Sequence, residues 1–278
     1  MAQRKGYDTM INLYQHSSVM NAIIADSWHT SKYFIGRYLT NAENSEEDKK
    51  MTLDEVKLLS KKLIDIVSIY QTKRYDTDDY TFAQGRTDAQ SAIAAAAALH
   101  QPDGTPIYFA IEYPDLAEKP TAATAMHNYL NGVSSYLSSV HNTHNYKMGV
   151  YGPSENCRIA KSWFAAAYSM YGSPDYGTFS NWNIKQKWNP SGYTGSLVGT
   201  VDFDTSKNLD YGGWQYHVLP SAWSNYNNPA KHRKKCSLCN NYFYEAHTFD
   251  PTGTYCTKCG YGAPVSLPEN EPEEERIT

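Results

Sequence analysis

The chain has 278 residues, enough to bury a full core in one large domain with room for a small module. Its formal net charge of -4 is close to neutral for that length, which excludes the global positive field of most nucleic-acid binders and leaves only local contacts to polyanions. No apolar run approaches the ~18 residues needed to cross a bilayer, and the start "MAQRKGYDTMINL" lacks the apolar stretch and cleavage site of a secretory signal, so the chain as given reads as soluble. Two features remain: 24 tyrosines, whose flat faces suit sugar rings as well as core edges, and five cysteines of which four crowd into the last fifth of the chain.

Along the chain, short strand-forming runs alternate with helical patterns as far as about residue 205. "GYDT" is read as the first strand, a mixed stretch follows to Trp28, and "YFIGRYL" (33–39) is the second strand. A helix opens at "MTLDEVKLLSKKL", where Thr52 and Glu55 have capping-box spacing and Leu53, Val56, Leu59 and Leu63 share a face. "DIVSIYQ" (65–71) is the third strand, the Ala-rich 88–100 a helix, "PIYFAIE" the fourth strand, about 121–140 a helix, "KMGVYG" (147–152) the fifth strand and "NCRIAKSWFAAAYSMY" a helix. "TFSNW", "IKQKW" and "GTVDFDTS" then read as three short strands without full helices between them. Strands separated by helices require crossover connections and hence a parallel sheet. Eight strands, with neither a GxGxxG nor a P-loop, favour an α/β fold closed as a (β/α)8 TIM-like barrel with a degenerate last quarter over an open doubly wound sheet.

In such a barrel the strand ends share one rim, and the acids then sort themselves. Asp8 ends the first strand, Glu112 the fourth, and Asp202 and Asp204 the eighth, facing one another across the mouth as a two-carboxyl glycosidase requires. The structural alternatives are that Asp8 caps the following segment and that Asp202 pairs with a barrel arginine such as Arg37. Glu112 stands out, because the apolar strand "IYFAI" sets it beside a desolvating wall that raises a carboxyl pKa toward that of an acid catalyst. Tyr38, Tyr70, Tyr113, Tyr151 and Trp182 fall at or near predicted strand ends, where a ring could stack on a sugar, although each by itself is better explained by core packing.

"KGYDT", "YFIGRYL", "GTPIYFAIEY", "GVYG", and "IKQ" followed by "VDFDTS" occur in an order that resembles the glycoside-hydrolase-like DUF1906 domain, itself similar to the GH25 lysozyme-type muramidases, over about residues 5–206. The resemblance implies a (β/α)8-type barrel in which Glu112 matches the acid of strand four, Asp8 the Asp of the opening strand, and Gln186 with Asp202 or Asp204 the closing element. It also implies a peptidoglycan-like ligand. One position departs: where the muramidases have an Asp two residues before the strand-four Glu, this chain has Ala110. Glu112 must then work with Asp8, Asp202, Asp204 or the substrate's own acetamido group. Arg37, Tyr38, Tyr70, Tyr151, Trp182 and Gln186 complete the expected substrate-binding set.

After residue 220 the composition changes. The barrel is expected over 1–225, a basic linker over 226–235, a zinc ribbon over 236–262 and a disordered acidic tail over 263–278. Cys236, Cys239, Cys256 and Cys259 form two CxxC pairs separated by 16 residues, with the intervening segment read as a hairpin that brings four thiolates to one closed, structural zinc; a disulfide pair or a redox CxxC explains two matched pairs less well. His247 lies between the pairs and is set aside because four sulfurs already fill the site. The run "KHRKK" (231–235) could hold an anionic polymer such as teichoic acid or nucleic acid, a solvated linker being the simpler account, and Cys157 is expected to be a buried helix residue.

The expected function is hydrolysis of bacterial cell-wall glycan with Glu112 as general acid, reached by non-classical export or after trimming of a signal. The alternatives are a glycan-binding barrel without turnover and an adaptor acting through the ribbon.

Overall fold

The computed structural model describes residues 3–29, 32–41, 49–72, 77–112, 119–172, 179–187, 190 and 193–262. Among these, no helix is long and apolar enough to cross a membrane. The chain divides into two compact units, Met1–Tyr216 and His217–Thr278. The boundary falls before the basic run, and the expected tail, 263–278, lies outside the described residues.

The first unit is a closed barrel of eight strands in sequence order: β1 (Lys5–Asp8), β2 (Phe34–Tyr38), β3 (Asp65–Tyr70), β4 (Pro106–Ala110), β5 (Lys147–Gly152), β6 (Tyr168–Gly172), β7 (Ile184–Lys187) and β8 (Asp202–Ser206). Around it lie α1 (Ser17–Ala25), α2 (Leu53–Lys61), α3 (Phe82–Ala98), α4 (Ala123–Leu137) and α5 (Ser154–Trp163). Period-2 alternation sorts the strands cleanly. Phe34, Tyr38, Val67, Ile69, Tyr108, Ala110, Tyr151, Met170 and Ile184 fill the barrel, while Ile35, Ile66, Ile107, Phe109, Val150 and Phe203 pack outward under the helices.

The closed eight-stranded α/β barrel is the expected one, with two differences. The sixth strand is Tyr168–Gly172, not "TFSNW": α5 stops at Trp163 and the chain turns through Phe164–Ala167 into extended backbone, so the expected helix covers two elements. The last strand is reversed. β1 to β7 run parallel to their neighbours, but β8 pairs antiparallel with both β7 and β1, because the 14 residues between Lys187 and Asp202 form no crossover helix among those described. Its N-terminus, not its C-terminus, therefore reaches the mouth.

The reversal delivers the chain to the opposite end, which residues 207–216 close. Tyr211 packs on Phe34 with ring centroids 4.8 Å apart and accepts the Tyr108 hydroxyl on its carbonyl at 2.8 Å. Its own hydroxyl reaches Asp65, which also pairs with Arg4. Trp214 exchanges backbone hydrogen bonds with Ile66 and donates its indole N–H to Ser68 at 2.9 Å. With one end plugged, the barrel is open only at the other.

The second unit is built on a two-stranded antiparallel hairpin, β9 (Lys231–Lys235) and β10 (Tyr242–Ala246), paired Lys235 to Tyr242 and Lys231 to Ala246. The basic run expected as a linker is thus a strand. Its cations lie over aromatic faces, Arg233 at 4.6 Å from the Tyr226 ring and 4.3 Å from that of Tyr242, and Lys234 at 4.8 Å from that of Trp223, which covers their aliphatic stems. The first CxxC pair forms the turn of this hairpin. The second forms a matching turn: Cys236 N–H donates to Asn241 O and Cys256 N–H to Tyr261 O, and Asn240 and Gly260, each just past its second cysteine, take φ of 63° and 71°. Asn and Gly are the residues that adopt this left-handed conformation most readily.

Candidate active site at the barrel mouth

Asp8 ends β1 and stands directly opposite Asp202, the first residue of β8, in the antiparallel register. Glu112 follows the end of β4 on its inward side, two residues beyond Ala110. The three carboxyl groups line one cavity of about 300 Å³ with Thr9, Met10, Tyr38, Gln71, Tyr151, Gly199, Thr200 and Val201. Gly36 makes room for Asp8: a Cβ on Gly36 would come within 2.7 Å of the Asp8 Cβ. Thr9 donates its hydroxyl to the Thr200 carbonyl at 3.1 Å, tying the loop after β1 to the loop before β8.

Gln186, inward on β7, organises the acids. Its amide nitrogen donates to Asp8 Oδ2 at 2.6 Å and to Asp202 Oδ2 at 3.2 Å, and its amide lies 3.2 Å from the Tyr151 hydroxyl. Asp8 is almost fully buried, and burial, then the neighbouring Asp202 charge, push its pKa up to about 8 against the pull of the Gln186 bond. Burial pushes Asp202 up to about 6. Glu112 reaches solvent through the mouth, yet the surrounding walls still raise its carboxyl above the ordinary range. Hydrogen bonds from Gln71 and Tyr151 and the Lys49 charge oppose that rise. Burial also raises the Tyr38 and Tyr151 hydroxyls well above their usual range, so both stay protonated donors, Tyr38 toward Asp8 and Tyr151 toward Glu112.

Asp204 lies one inward position below, opposite Gly6 and Gln186. It is fully buried and does not line the cavity, and the side chain its carboxyl meets is that of Asp8. Burial, followed by the charges of Asp8 and Asp202, pushes it well above the carboxylate range and holds it neutral.

Three expected substrate contacts lie elsewhere. Arg37 alternates outward on β2, fully buried under α2, where its Nε meets Glu55 Oε1 at 2.7 Å and it also donates to the Thr9 and Lys49 carbonyls. It pairs with neither Asp202 nor the cavity. Glu55 is thereby diverted from a capping box: Thr52 accepts the Glu55 N–H at 3.2 Å, while the Glu55 carboxylate faces Arg37 and the Leu13 N–H. Tyr70 faces outward against Phe109, ring centroids 5.7 Å apart, because the inward positions of β3 are Val67 and Ile69. Trp182 precedes β7 and packs against the outer core rather than ending a strand. Tyr113 lies outside the described residues.

Two contributors were not singled out from the sequence. Gln71 continues the inward side of β3 beyond Ile69 and donates to Glu112; the strand-end rule applied to the acids would also have found it. Lys49 bonds Gln71 Oε1 at 2.8 Å and sits 4.5 Å from the Tyr38 ring centroid. In the sequence it is hidden in the charge run "EEDKK", which reads as a solvated surface.

An eight-stranded barrel plugged at one end, with carboxyl groups gathered at its open mouth, defines the first unit as a glycoside-hydrolase-like barrel. The chain belongs to the Rv2525c-like family of glycoside hydrolase-like domains, whose model matches residues 26–228. It is 28% identical to FadG of Bacillus subtilis (strain 168) over 195 residues, 67% of this chain and 33% of that protein. To YbfG of the same organism it is 29% identical over 182 residues, 61% of this chain and 25% of that protein, so it spans a third or less of these relatives. Among solved structures it resembles the Mycobacterium tuberculosis Tat-secreted protein Rv2525c in complex with L-tartrate, at TM-score 0.56 and 20% identity, covering 76% of this chain and 98% of that one. A B. stearothermophilus protein matches at TM-score 0.54 and 16% identity, covering 76% of this chain and 99% of that one. At such identities the likeness is one of fold.

In the second unit the cysteines do not converge on one point. His232, His247, Cys256 and Cys259 form one group that could hold a metal ion, and His217, Cys236 and Cys239 a second. This corrects the single four-sulfur site, and His247, set aside in the sequence, belongs to a group. Cys157 is the buried helix residue expected, its thiol pushed up to about 12 by burial.

Proposed function

We propose that the first unit hydrolyses a bacterial cell-wall glycan, with Glu112 as general acid and Asp202 as the carboxylate that acts as base or nucleophile. The supporting observation is the gathering of Glu112, Asp8 and Asp202 in one cavity under tyrosine hydroxyls. A carboxyl whose pKa is raised by burial keeps its proton more readily, which suits Glu112 to protonate the leaving glycosidic oxygen. Asp202, shifted only to about 6, is largely ionised there and can support the developing positive charge of the sugar. Asp8, still protonated at neutrality, is a positioning group held with Asp202 by Gln186. In this reading Asp202 takes the part that the strand-four Asp has in the muramidases, since Ala110 occupies that inward position on β4. The proposal places the protein's action at the cell wall.

The test is release of reducing ends from purified peptidoglycan. Glu112→Gln should lower the rate by about 10²–10⁴-fold, the usual weight of a general acid, and a variant as fast as the parent would refute the assignment. Ala110 also favours a second reading, a barrel that binds glycan without cleaving it, for which the parent protein would show saturable binding and release no reducing ends. We read the Cys and His groups of the second unit as structural zinc sites, which supply folding energy to a module too small for a core of its own.

A further inference from the structure

The two CxxC pairs fall in different donor groups, and the reason lies in the hairpin. Cys236 and Cys239 form its turn, whereas His232 and His247 flank its open end, where Glu245 pairs with His232 in register. His232 and Cys236 are four residues apart along β9 and its end, a rise of about 13 Å at ~3.3 Å per residue. The Cys256–Cys259 turn is held at the open end by the Cys256 contact to His232 and by the bridge between Phe249 and Cys256. The extended hairpin therefore keeps the two thiol pairs apart.

We propose that the second unit binds two zinc ions, one closed by His232, His247, Cys256 and Cys259, the other held by His217, Cys236 and Cys239 with its fourth coordination position left to a ligand from outside this set. The inference rests on the zinc reading of this unit and fixes its stoichiometry and ligands. Within each group the ligand atoms all lie within 4.8 Å of one another. The nitrogen–sulfur approaches are His232 Nδ1 to Cys256 Sγ at 3.4 Å, His247 Nδ1 to Cys259 Sγ at 3.5 Å and His217 Nδ1 to Cys239 Sγ at 3.4 Å. A tetrahedron with zinc–sulfur bonds of about 2.3 Å and zinc–nitrogen bonds of about 2.0 Å has a nitrogen–sulfur edge of about 3.5 Å.

The outer contacts of the histidines point the same way. His247 Nε2 lies 2.9 Å from the Asn228 carbonyl, a bond it makes only by carrying the proton there, which leaves Nδ1 with its lone pair toward the sulfurs. His232 is fully buried, its Nε2 has no hydrogen-bond partner, and Glu245 Oε2 stands 3.8 Å away. A carbonyl or carboxylate behind the far nitrogen of a histidine is the usual support of a zinc-ligating ring. Cys236 Sγ accepts the Leu238 N–H at 3.3 Å, as a thiolate in a turn of this kind does. The two sites differ in kind: four protein ligands close the first, and three leave the second able to take water or an exogenous donor.

The full chain, purified, stripped of metal and reconstituted with Zn²⁺ alone, should bind two equivalents by elemental analysis. X-ray absorption should give an average shell of two sulfurs per zinc, the rest nitrogen or oxygen. Cys236→Ser with Cys239→Ser should remove one equivalent and leave the other, and His247→Ala should weaken the other. Because a variant could fail to fold, the parent's sulfur count decides independently. One zinc with four sulfurs, unaffected by His247→Ala, would overturn the two-site arrangement and keep the zinc reading. No bound zinc would overturn both.

Discussion

Asp8 is the residue on which the mouth turns. Its pKa of about 8 stands above the ordinary 3.8, so between these values the folded state holds a proton that the unfolded chain has lost. Stability from this group is therefore greatest below about pH 4 and falls as pH rises through 8. Asp8→Asn keeps an acceptor for Gln186 and removes the charge, and should raise the melting temperature at pH 8 by about 4–8 °C, for a gain of about 2 kcal/mol, with a smaller change at pH 5. Thermal denaturation of parent and variant at the two pH values checks this. An equal shift at both would mean that Asp8 is not protonated in the native state. The opposite case is Arg37, equally buried but bidentate on Glu55, an ion pair spent on joining β2 to α2. Two ionisable residues on neighbouring strands thus join the mouth and the architecture because one faces in and the other out.

Among elements, the closest helix contact joins α3 and α4. A Cβ on Gly132 would come 2.1 Å from the Phe82 carbonyl oxygen, and one on Gly85 would come 2.0 Å from that of Tyr129. Both obstacles are backbone, so neither can rotate away. Gly132→Ala should force the helices apart and cost about 1–3 kcal/mol, read as a lower denaturation midpoint with an unchanged slope. A variant as stable as the parent would show that the helices slide freely. Strand register explains the misplacements at the mouth as well: Tyr70 and Gln71 are adjacent, and alternation sends one under the helices and the other to Glu112. A one-residue difference inverts the face, and in "DIVSIY" the two polar residues, Asp65 and Ser68, fall on opposite faces, so the run carries no consistent mark of which face is inner.

At the scale of the whole barrel, Asp8, Asp202 and Glu112 reach the mouth from β1, β8 and the end of β4, and burial raises all three above the ordinary carboxylate range, with the Asp202 charge adding to the rise at Asp8. Glycan cleavage needs a proton on one member and a charge on another, so activity should follow a bell, rising with a limb near pH 6 as Asp202 ionises and falling near pH 8 as the last proton leaves. The limbs belong to the cluster rather than to single residues. Glu112→Gln should abolish the activity that traces this bell, and a pH-independent rate from 5 to 9 would exclude a shared proton.

The sequence by itself determined the class of fold, seven of the eight strands and the acids worth watching, because alternation, helix length and strand-end position are local properties written in "PIYFAIE", "YFIGRYL" and "VDFDTS". It also marked both CxxC turns. Only the tertiary structure decided that β8 runs backwards and presents Asp202 while burying Asp204, that Lys49 stands behind Gln71 and Glu112, and that the cysteine pairs part company across a hairpin. These outcomes depend on which segments meet across long stretches of chain, and the spacing of residues along the sequence does not encode the direction from which a strand or a histidine arrives.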